Sequence, residues 1–179
     1  MKQFLILAAL VFCHLPSFGQ SKHELIKTNL KKLDVFIGEW NISTENFSHS
    51  GKRSEEKGIY NFSWALDSTY ITRHGSLTNT ASNRTRQFVS WLTFDTKVNQ
   101  FRFIFFYDKR SNMITEYGTY DEQGQTFTTL TSFEIENGVT EYIRHVVDFK
   151  NPNEIVGRSW IRLDDAEEAN NFKEVLSRF

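Results

Sequence analysis

The segment VTEYIRHVVDF at residues 139–149 decides the fold, because most of its apolar residues recur at every second position. One face carries Val139, Ile143, His145, Val147 and Phe149, whereas the other face is mostly polar. A period of two is typical of a β-strand with one side against a core. The segment is therefore predicted to be a strand whose apolar face, including His145, points inward.

The same period recurs through most of the chain from residue 36 onward. Eight further strands are predicted near 36–45, 55–66, 69–77, 87–94, 99–107, 112–120, 125–135 and 153–163. The connectors between them are too short for helical crossovers, so neighbouring strands must be antiparallel. About nine sequential antiparallel strands leave two exposed edges unless the sheet closes. An up-and-down barrel is therefore predicted, with a two-sheet sandwich as the alternative.

Two helices are predicted to flank these strands. Residues 24–32 place Leu25, Ile26 and Leu30 at helical spacing, with lysines on the other face. The tail at residues 164–179 also has helically spaced apolar residues, which are Phe172, Val175, Leu176 and Phe179. The predicted fold class is therefore mainly β: a calycin-like or lipocalin-like barrel with a short N-terminal helix and a C-terminal helix on its wall.

The first residues have the pattern of a cleaved signal peptide. Lys2 supplies a positive charge, residues 4–12 form a short apolar run, and Ser17 and Gly19 are the small residues that a signal peptidase prefers. We therefore expect residues 1–19 to be a signal peptide and residues 20–179 to form a single barrel domain. The expected location is periplasmic or secreted.

The composition excludes several other classes of protein. Lys and Arg total 21 against 22 Asp and Glu, for a formal net charge of −1, so nucleic acid is not an expected partner. The only cysteine, Cys13, lies in the signal segment, which leaves no disulfide framework. No segment reaches the roughly 20 apolar residues of a membrane-spanning helix. No metal, nucleotide or nucleophile motif is present, and no metal site is expected.

The candidate ligand contacts are the inward faces of the predicted strands. They comprise Tyr60, Phe62, Trp64, Phe103, Phe105, Ile143, His145 and Val147. Such faces can line a cavity for one small, largely apolar molecule. A barrel of this size can also fill its interior with side chains and hold nothing. Both interpretations remain open on the sequence alone.

The strand at residues 101–107 is apolar on both faces. Phe103 and Phe105 share one side, while Ile104 and Phe106 lie on the other. An apolar outer face either lies under a helix or forms a contact surface. A homodimer through this strand is therefore a possible partner arrangement.

Two short segments resemble a known family. FIGEW at residues 36–40 opens the first strand after a short helix, and GTYDEQG at residues 118–124 lies between later strands. Together they resemble calycins, the group of lipocalins and fatty-acid-binding proteins, and more closely a bacterial family of unknown function with a lipocalin-like barrel and an F-x-G-x-W opening. The resemblance implies barrel closure by Gly38 and Trp40, with an arginine of the last strand over the tryptophan. Arg158 or Arg162 could fill this role, and Arg158 is preferred because it lies nearer the centre of the predicted strand.

Three alternative functions remain. A related group of small barrels binds haem through a histidine on a late strand, and His145 has a similar position. Those proteins continue the opening motif with further glycines, whereas Asn41 and Ile42 follow here, so we expect no cofactor. His145 as the general base of a lyase or isomerase is the enzymatic alternative, although no catalytic residue is assigned. An interaction module with a filled core is the third.

Overall fold

The computed structural model describes residues 21–48, 52–107, 110–135 and 138–179. The predicted signal peptide at residues 1–19 lies outside the described residues. A helix and a short 3-10 turn precede ten strands. These elements are α1 (Lys22–Lys31), the 3-10 turn (Asp34–Phe36), β1 (Gly38–Phe47), β2 (Arg53–Ala65), β3 (Tyr70–Asn79), β4 (Thr85–Asp95), β5 (Gln100–Tyr107), β6 (Arg110–Asp121), β7 (Thr126–Glu134), β8 (Thr140–Asn151), β9 (Glu154–Leu163) and β10 (Ala169–Arg178).

The ten strands form one closed antiparallel barrel. Each strand pairs with the next along the chain, and β1 pairs with β10 to close the cylinder. The prediction of a mainly β, up-and-down barrel is therefore confirmed, with ten strands in place of about nine. Closure pairs both edges of the sheet, which removes the unpaired edges that an open sheet would expose.

The predicted C-terminal helix is wrong, because its residues form β10. Phe172 and Leu176 are four positions apart, and this spacing fits a helix as well as one face of a strand. Glu174 lies between them on the same inward side and is buried, so the period in the structure is two. The hydrogen bonds that β10 makes with β1 and β9 outweigh the local preference of the tail.

The helix α1 covers one end of the barrel. It begins after Ser21, whose Oγ accepts a hydrogen bond from the backbone N–H of Glu24 at 3.1 Å. Its residue Leu30 is fully buried, and its Lys27 Nζ lies 3.0 Å from Asp67 Oδ2 in the β2–β3 turn. No helix in the described part of the chain has both the length and the apolar character needed to cross a membrane.

Aromatic side chains fill the barrel beneath α1. The ring of Phe36 stacks on Phe62 at a centroid distance of 5.0 Å and meets the ring of Phe149 edge-on at 4.9 Å. The fully buried Trp40 donates from Nε1 to the Phe36 carbonyl oxygen at 2.7 Å. This end of the barrel is therefore a packed core rather than an opening.

An arginine of the last strand holds the 3-10 turn against this core. The guanidinium of Arg178 lies 4.0 Å from the Trp40 ring centroid, which is a cation–π contact. Its Nη1 donates to the Ile37 carbonyl and its Nη2 to the Val35 carbonyl, both at 2.9 Å. Gly38 has a φ of +119°, and a Cβ there would lie 2.5 Å from Arg178 Nη1, so glycine leaves room for the guanidinium.

The assignment of Arg158 to this position was wrong. Arg158 lies on β9, where it alternates with buried neighbours and is exposed on the outer face. The error followed from the tail: β9 is not the last strand, so the arginine of the true last strand is Arg178. Gly38 and Trp40 do lie at the end of the barrel that α1 covers.

The strand β5 has apolar side chains on both faces, as its sequence indicates. Phe101 is buried inside the barrel. On the outer face, the Phe106 ring meets Trp91 of β4 edge-on at a centroid distance of 5.0 Å, and Ile104 pairs with Trp91. These outer side chains are only partly buried.

Candidate functional site

The interior of the barrel differs between its two halves. Near α1 the inward side chains are buried, among them Leu92, Phe94, Phe127, Val147 and Ile155. Farther from α1 several inward side chains are only partly buried, namely Phe88, Phe103, Phe105, Ile143 and Phe172. Solvent therefore reaches the half of the interior away from the helix, and the candidate site lies there.

Arg73 of β3 points into this half and lies among aromatic rings. Ile71 and Leu77 of the same strand are buried, so the alternation of β3 places Arg73 inside with them. Its guanidinium carbon is between 5.0 and 6.0 Å from five ring centroids, which are those of Tyr60, Phe62, Phe88, Phe103 and Phe105. The negative faces of such rings favour a cation. We call these five rings and Arg73 the arginine cage.

One residue of the neighbouring strand β4 and one of β3 itself hold the arginine cage in shape. Arg73 Nε donates to Ser90 Oγ at 3.0 Å, and Ser90 is buried on β4. Gly75 leaves the space that the rings need, because a Cβ there would lie 2.6 Å from Phe88 Cζ and 2.7 Å from Tyr60 Cδ1. Among the described residues, no carboxylate oxygen lies within 4.0 Å of the Arg73 guanidinium.

His145 of β8 lies on the opposite wall, five strands away from β3 in either direction around the barrel. Its Nδ1 lies 2.7 Å from Ser159 Oγ on β9, and its Nε2 lies 3.5 Å from Glu174 Oε1 on β10. The His145 side chain is 20% exposed and that of Glu174 is 9% exposed. The three side chains therefore form a polar row across three adjacent strands.

Glu174 is a buried carboxylate whose charge is compensated inside the barrel. Burial alone raises the pKa of Glu174, but the hydrogen bond with His145 and the electrostatic interactions with His145 and Arg73 bring it below its ordinary range. Gly157 of β9 makes room for this side chain, since a Cβ there would lie 2.6 Å from Glu174 Cγ. The carboxylate is therefore ionised at neutral pH, and its field extends to Arg73.

Two further polar pairs face the same interior. Glu56 of β2 accepts two hydrogen bonds from Arg86 of β4, at 3.1 Å from Nε and 2.6 Å from Nη2. Glu116 of β6 accepts a hydrogen bond from the Thr129 hydroxyl at 2.8 Å. The interior therefore combines aromatic walls with a small number of placed charges, as ligand sites in proteins commonly do.

A separate cleft of about 460 Å³ lies on the outer wall. It opens where the described pairing between β6 and β7 ends, at Tyr117 and Leu130. Two arginines line the cleft: Arg144, which is ion-paired, and Arg162, whose guanidinium lies 4.5 Å from the Tyr142 ring centroid. The cleft therefore also holds positive charge, on the outside of the barrel.

The structure brings most of the sequence-predicted contact residues to the interior. Tyr60, Phe62, Phe103 and Phe105 belong to the arginine cage. Ile143 and His145 lie on the opposite wall, and Ile143 also borders the outer cleft. Val147 is buried in the filled half, and Trp64 packs against the core with part of its surface exposed. Whether these residues contact a ligand stays a prediction.

Sequence reasoning missed the charged members of the site. Arg73 was detectable, because it lies an even number of positions from the apolar Ile71 and Leu77 and therefore shares the inward face of its strand with them. Ser159 has the same kind of signal from Ile155. Glu174 was hidden because its segment was interpreted as a helix.

The geometry around His145 does not fit a haem ligand. Both ring nitrogens already lie against protein atoms, Ser159 Oγ and Glu174 Oε1, so neither faces open space for an iron atom. In the part of the chain that the structure describes, no three His, Cys, Asp or Glu side chains come together in a way that could hold a metal ion.

The chain belongs to a family described as protein of unknown function (DUF1579), whose profile matches residues 27–178. Whether the F-x-G-x-W opening is typical of that family stays a prediction. No curated protein matches the chain significantly.

Solved structures share the fold at low sequence identity. Rv2717c from M. tuberculosis superposes with a TM-score of 0.60 at 14% identity, over 84% of this chain and 96% of that one. The S-type phycobiliprotein lyase CPES from Guillardia theta superposes with a TM-score of 0.58 at 11% identity, over 86% of this chain and 93% of that one. At these identities the similarity concerns the fold alone.

Proposed function

We propose that this DUF1579 protein is an exported binding protein that holds one small, largely apolar molecule inside its barrel. The observation that carries the proposal is the partly exposed aromatic wall formed by Phe88, Phe103 and Phe105. Aromatic side chains on a rigid sheet offer a large apolar contact area to a ligand. The buried core beneath α1 sets the depth of the site, so the ligand occupies only the half of the interior away from the helix.

A neutral fluorescent probe tests this proposal. N-phenyl-1-naphthylamine, whose emission rises in apolar surroundings, is titrated into the purified protein. We expect saturable binding that is weakened by Ile143→Trp, because the larger ring occupies interior space next to His145. Val146→Trp on the outer face of the same strand is the matched control and should bind as the wild type does. Absence of binding, or equal loss in both variants, would contradict an interior site. Native mass spectrometry with solvent extraction then identifies the natural ligand.

Export is proposed from the charged, apolar and small-residue order of residues 1–19. Expression of the full chain in a bacterium with a periplasm should yield a soluble periplasmic protein with Gln20 at its N-terminus. Mass spectrometry of the intact protein measures the cleavage site. Retention of residues 1–19 would contradict the proposal.

A second candidate is a lyase or isomerase in which His145 is the general base. One observation favours it: Glu174 and Ser159 orient the imidazole at the border between the buried and the solvent-reached interior. A carboxylate next to a histidine fixes the ring and stabilises its protonated form. The extracted ligand discriminates between the two functions, since a binding protein returns it unchanged and an enzyme alters its bonding over time. His145→Gln should abolish only the second behaviour.

We expect no cofactor and no nucleic-acid partner, on the grounds of the His145 contacts and the near-neutral charge. A homodimer through the outer face of β5 is proposed from the partly exposed Trp91, Ile104 and Phe106. Light scattering of the wild type and of Phe106→Glu measures it. A wild type that is a monomer at all accessible concentrations would exclude the dimer.

A further inference from the structure

Arg73 is a partly buried cation on the inward face of β3. We infer that the molecule bound inside the barrel carries an anionic group, a carboxylate, sulfonate or phosphate, that is anchored by the Arg73 guanidinium. The inference rests on the binding function proposed above and names the chemical class of its ligand. The neutral part of the ligand then lies along the aromatic wall.

The hydrogen bonds of Arg73 leave the N–H groups of its two terminal nitrogens available. Nε donates to Ser90 Oγ at 3.0 Å. Within the described ranges, neither of the two terminal nitrogens has a hydrogen-bond partner. Neither of them is among the polar atoms that are both fully enclosed and unsatisfied. Those two nitrogens therefore face space that solvent reaches. A planar guanidinium with free N–H groups matches the two oxygens of a carboxylate or phosphate.

The arginine cage explains how the protein tolerates a cation at this position without an ion pair. Moving a charged side chain out of water is costly unless other groups compensate. The five rings contribute cation–π attraction, which does not use up the hydrogen-bonding capacity of the N–H donors. The cage thus fixes the charge in place and keeps the directional contacts for a ligand.

The other interior charges are already matched. Glu56 pairs with Arg86, and Glu174 pairs with His145, so neither carboxylate neutralises Arg73 by direct contact. Glu116 has a hydroxyl partner, Thr129, on the strand that follows it. Arg73 is therefore the interior cation that an anionic ligand finds without a competing carboxylate in contact.

Two probes with the same apolar body test the anionic preference. N-phenyl-1-naphthylamine is neutral, and 8-anilinonaphthalene-1-sulfonate adds one sulfonate to the same pair of ring systems. We expect the wild type to prefer the sulfonate probe by about tenfold to a hundredfold, the range of a charged hydrogen-bonded contact. In Arg73→Gln the preference should disappear, while the affinity for the neutral probe stays within about twofold.

Two arginines on the outer surface serve as controls. Arg158→Gln removes an exposed positive charge from the outer face of β9 and should leave both affinities unchanged. Arg162→Gln removes the one of the two cleft arginines that, among the described residues, has no carboxylate oxygen within 4.0 Å. Loss of the sulfonate preference in Arg162→Gln, but not in Arg73→Gln, would place the anion on the outer wall and overturn the inference.

The remaining outcomes separate the two proposals. If neither probe binds, the binding function fails, and the anionic ligand fails with it. If both probes bind equally in wild type and in Arg73→Gln, the interior site stands and the role of Arg73 is excluded. Should Arg73→Gln not fold, Ser90→Ala provides the test, because it keeps the charge and frees Nε. It should weaken the sulfonate probe several-fold without affecting the neutral probe, and an unchanged ratio would exclude the role of Arg73.

Discussion

Replacement of Arg178 by alanine is the perturbation that most directly tests how the barrel is closed. The guanidinium joins the last strand to the segment before the first strand, through the carbonyl oxygens of Val35 and Ile37 at 2.9 Å each. It also covers the Trp40 ring at 4.0 Å. Arg178→Ala removes all three contacts and leaves two partly buried carbonyls to water alone.

The size of the effect follows from these contacts. A hydrogen bond to a charged donor contributes about 1.5 to 3 kcal/mol, and a cation–π contact shielded from water adds up to about 2 kcal/mol. Water replaces part of the loss because the site is only partly buried, so we expect the free energy of unfolding to fall by about 3 to 5 kcal/mol. For a domain of this size the melting temperature should fall by about 6 to 20 °C.

Urea unfolding followed by tryptophan fluorescence measures this change, with the midpoint and the slope fitted separately. Arg158→Ala is the control: it removes an exposed arginine from the neighbouring strand and should cost no more than about 0.5 kcal/mol. If Arg178→Ala lost less than about 1 kcal/mol, or no more than Arg158→Ala, the closure argument would be refuted.

Three further substitutions test other parts of the interior. Gly157→Ala should lower the free energy of unfolding by about 1 to 3 kcal/mol, because its Cβ would lie 2.6 Å from Glu174 Cγ; an unchanged urea midpoint would contradict this. The pKa of Glu174 is lower in the folded protein than in the unfolded chain, so its ionised form stabilises the fold above the unfolded pKa, and that contribution is lost as the pH falls through the folded pKa. The stability of wild type relative to Glu174→Gln should therefore be largest above about pH 5 and shrink on acidification, whereas a difference independent of pH would disprove the assignment. Phe36→Ala should cost about 3 to 5 kcal/mol in thermal unfolding, since it empties the space beside two rings, while Leu66→Ala at an exposed turn should be nearly neutral; equal costs would argue against a packed end.

The barrel was predictable because the same alternation of apolar and polar residues recurs along most of the chain. Alternation along residues 139–149 predicts one strand, and eight similar segments with short connectors leave few arrangements other than closure. The local spacing of apolar residues cannot decide the secondary structure of the tail, because the four positions between Phe172 and Leu176 fit both a helix and a strand. Only pairing with β1 and β9 decides it. The partners on β1 are more than a hundred residues away in sequence, and those of Phe172 and Leu176 on β9 are 13 and 21 residues away.

The site was less predictable, for a related reason. Four of the five rings of the arginine cage were predicted from the alternation of inward and outward residues, and Phe88 was not. The cage itself depends on side chains of four strands meeting at one height. That height is set by the register of the barrel, which no single strand contains. The partner of His145 was missed because Glu174 lies in the segment that the sequence assigns to the wrong structure.

Closure between β1 and β10 also determines when the fold can form. The strand that completes the cylinder, Ala169–Arg178, follows the other nine strands along the chain, and until it is made β1 and β9 both remain unpaired edges. Contacts between distant parts of a chain form slowly and late. The last strand thus sets the moment at which the cylinder closes.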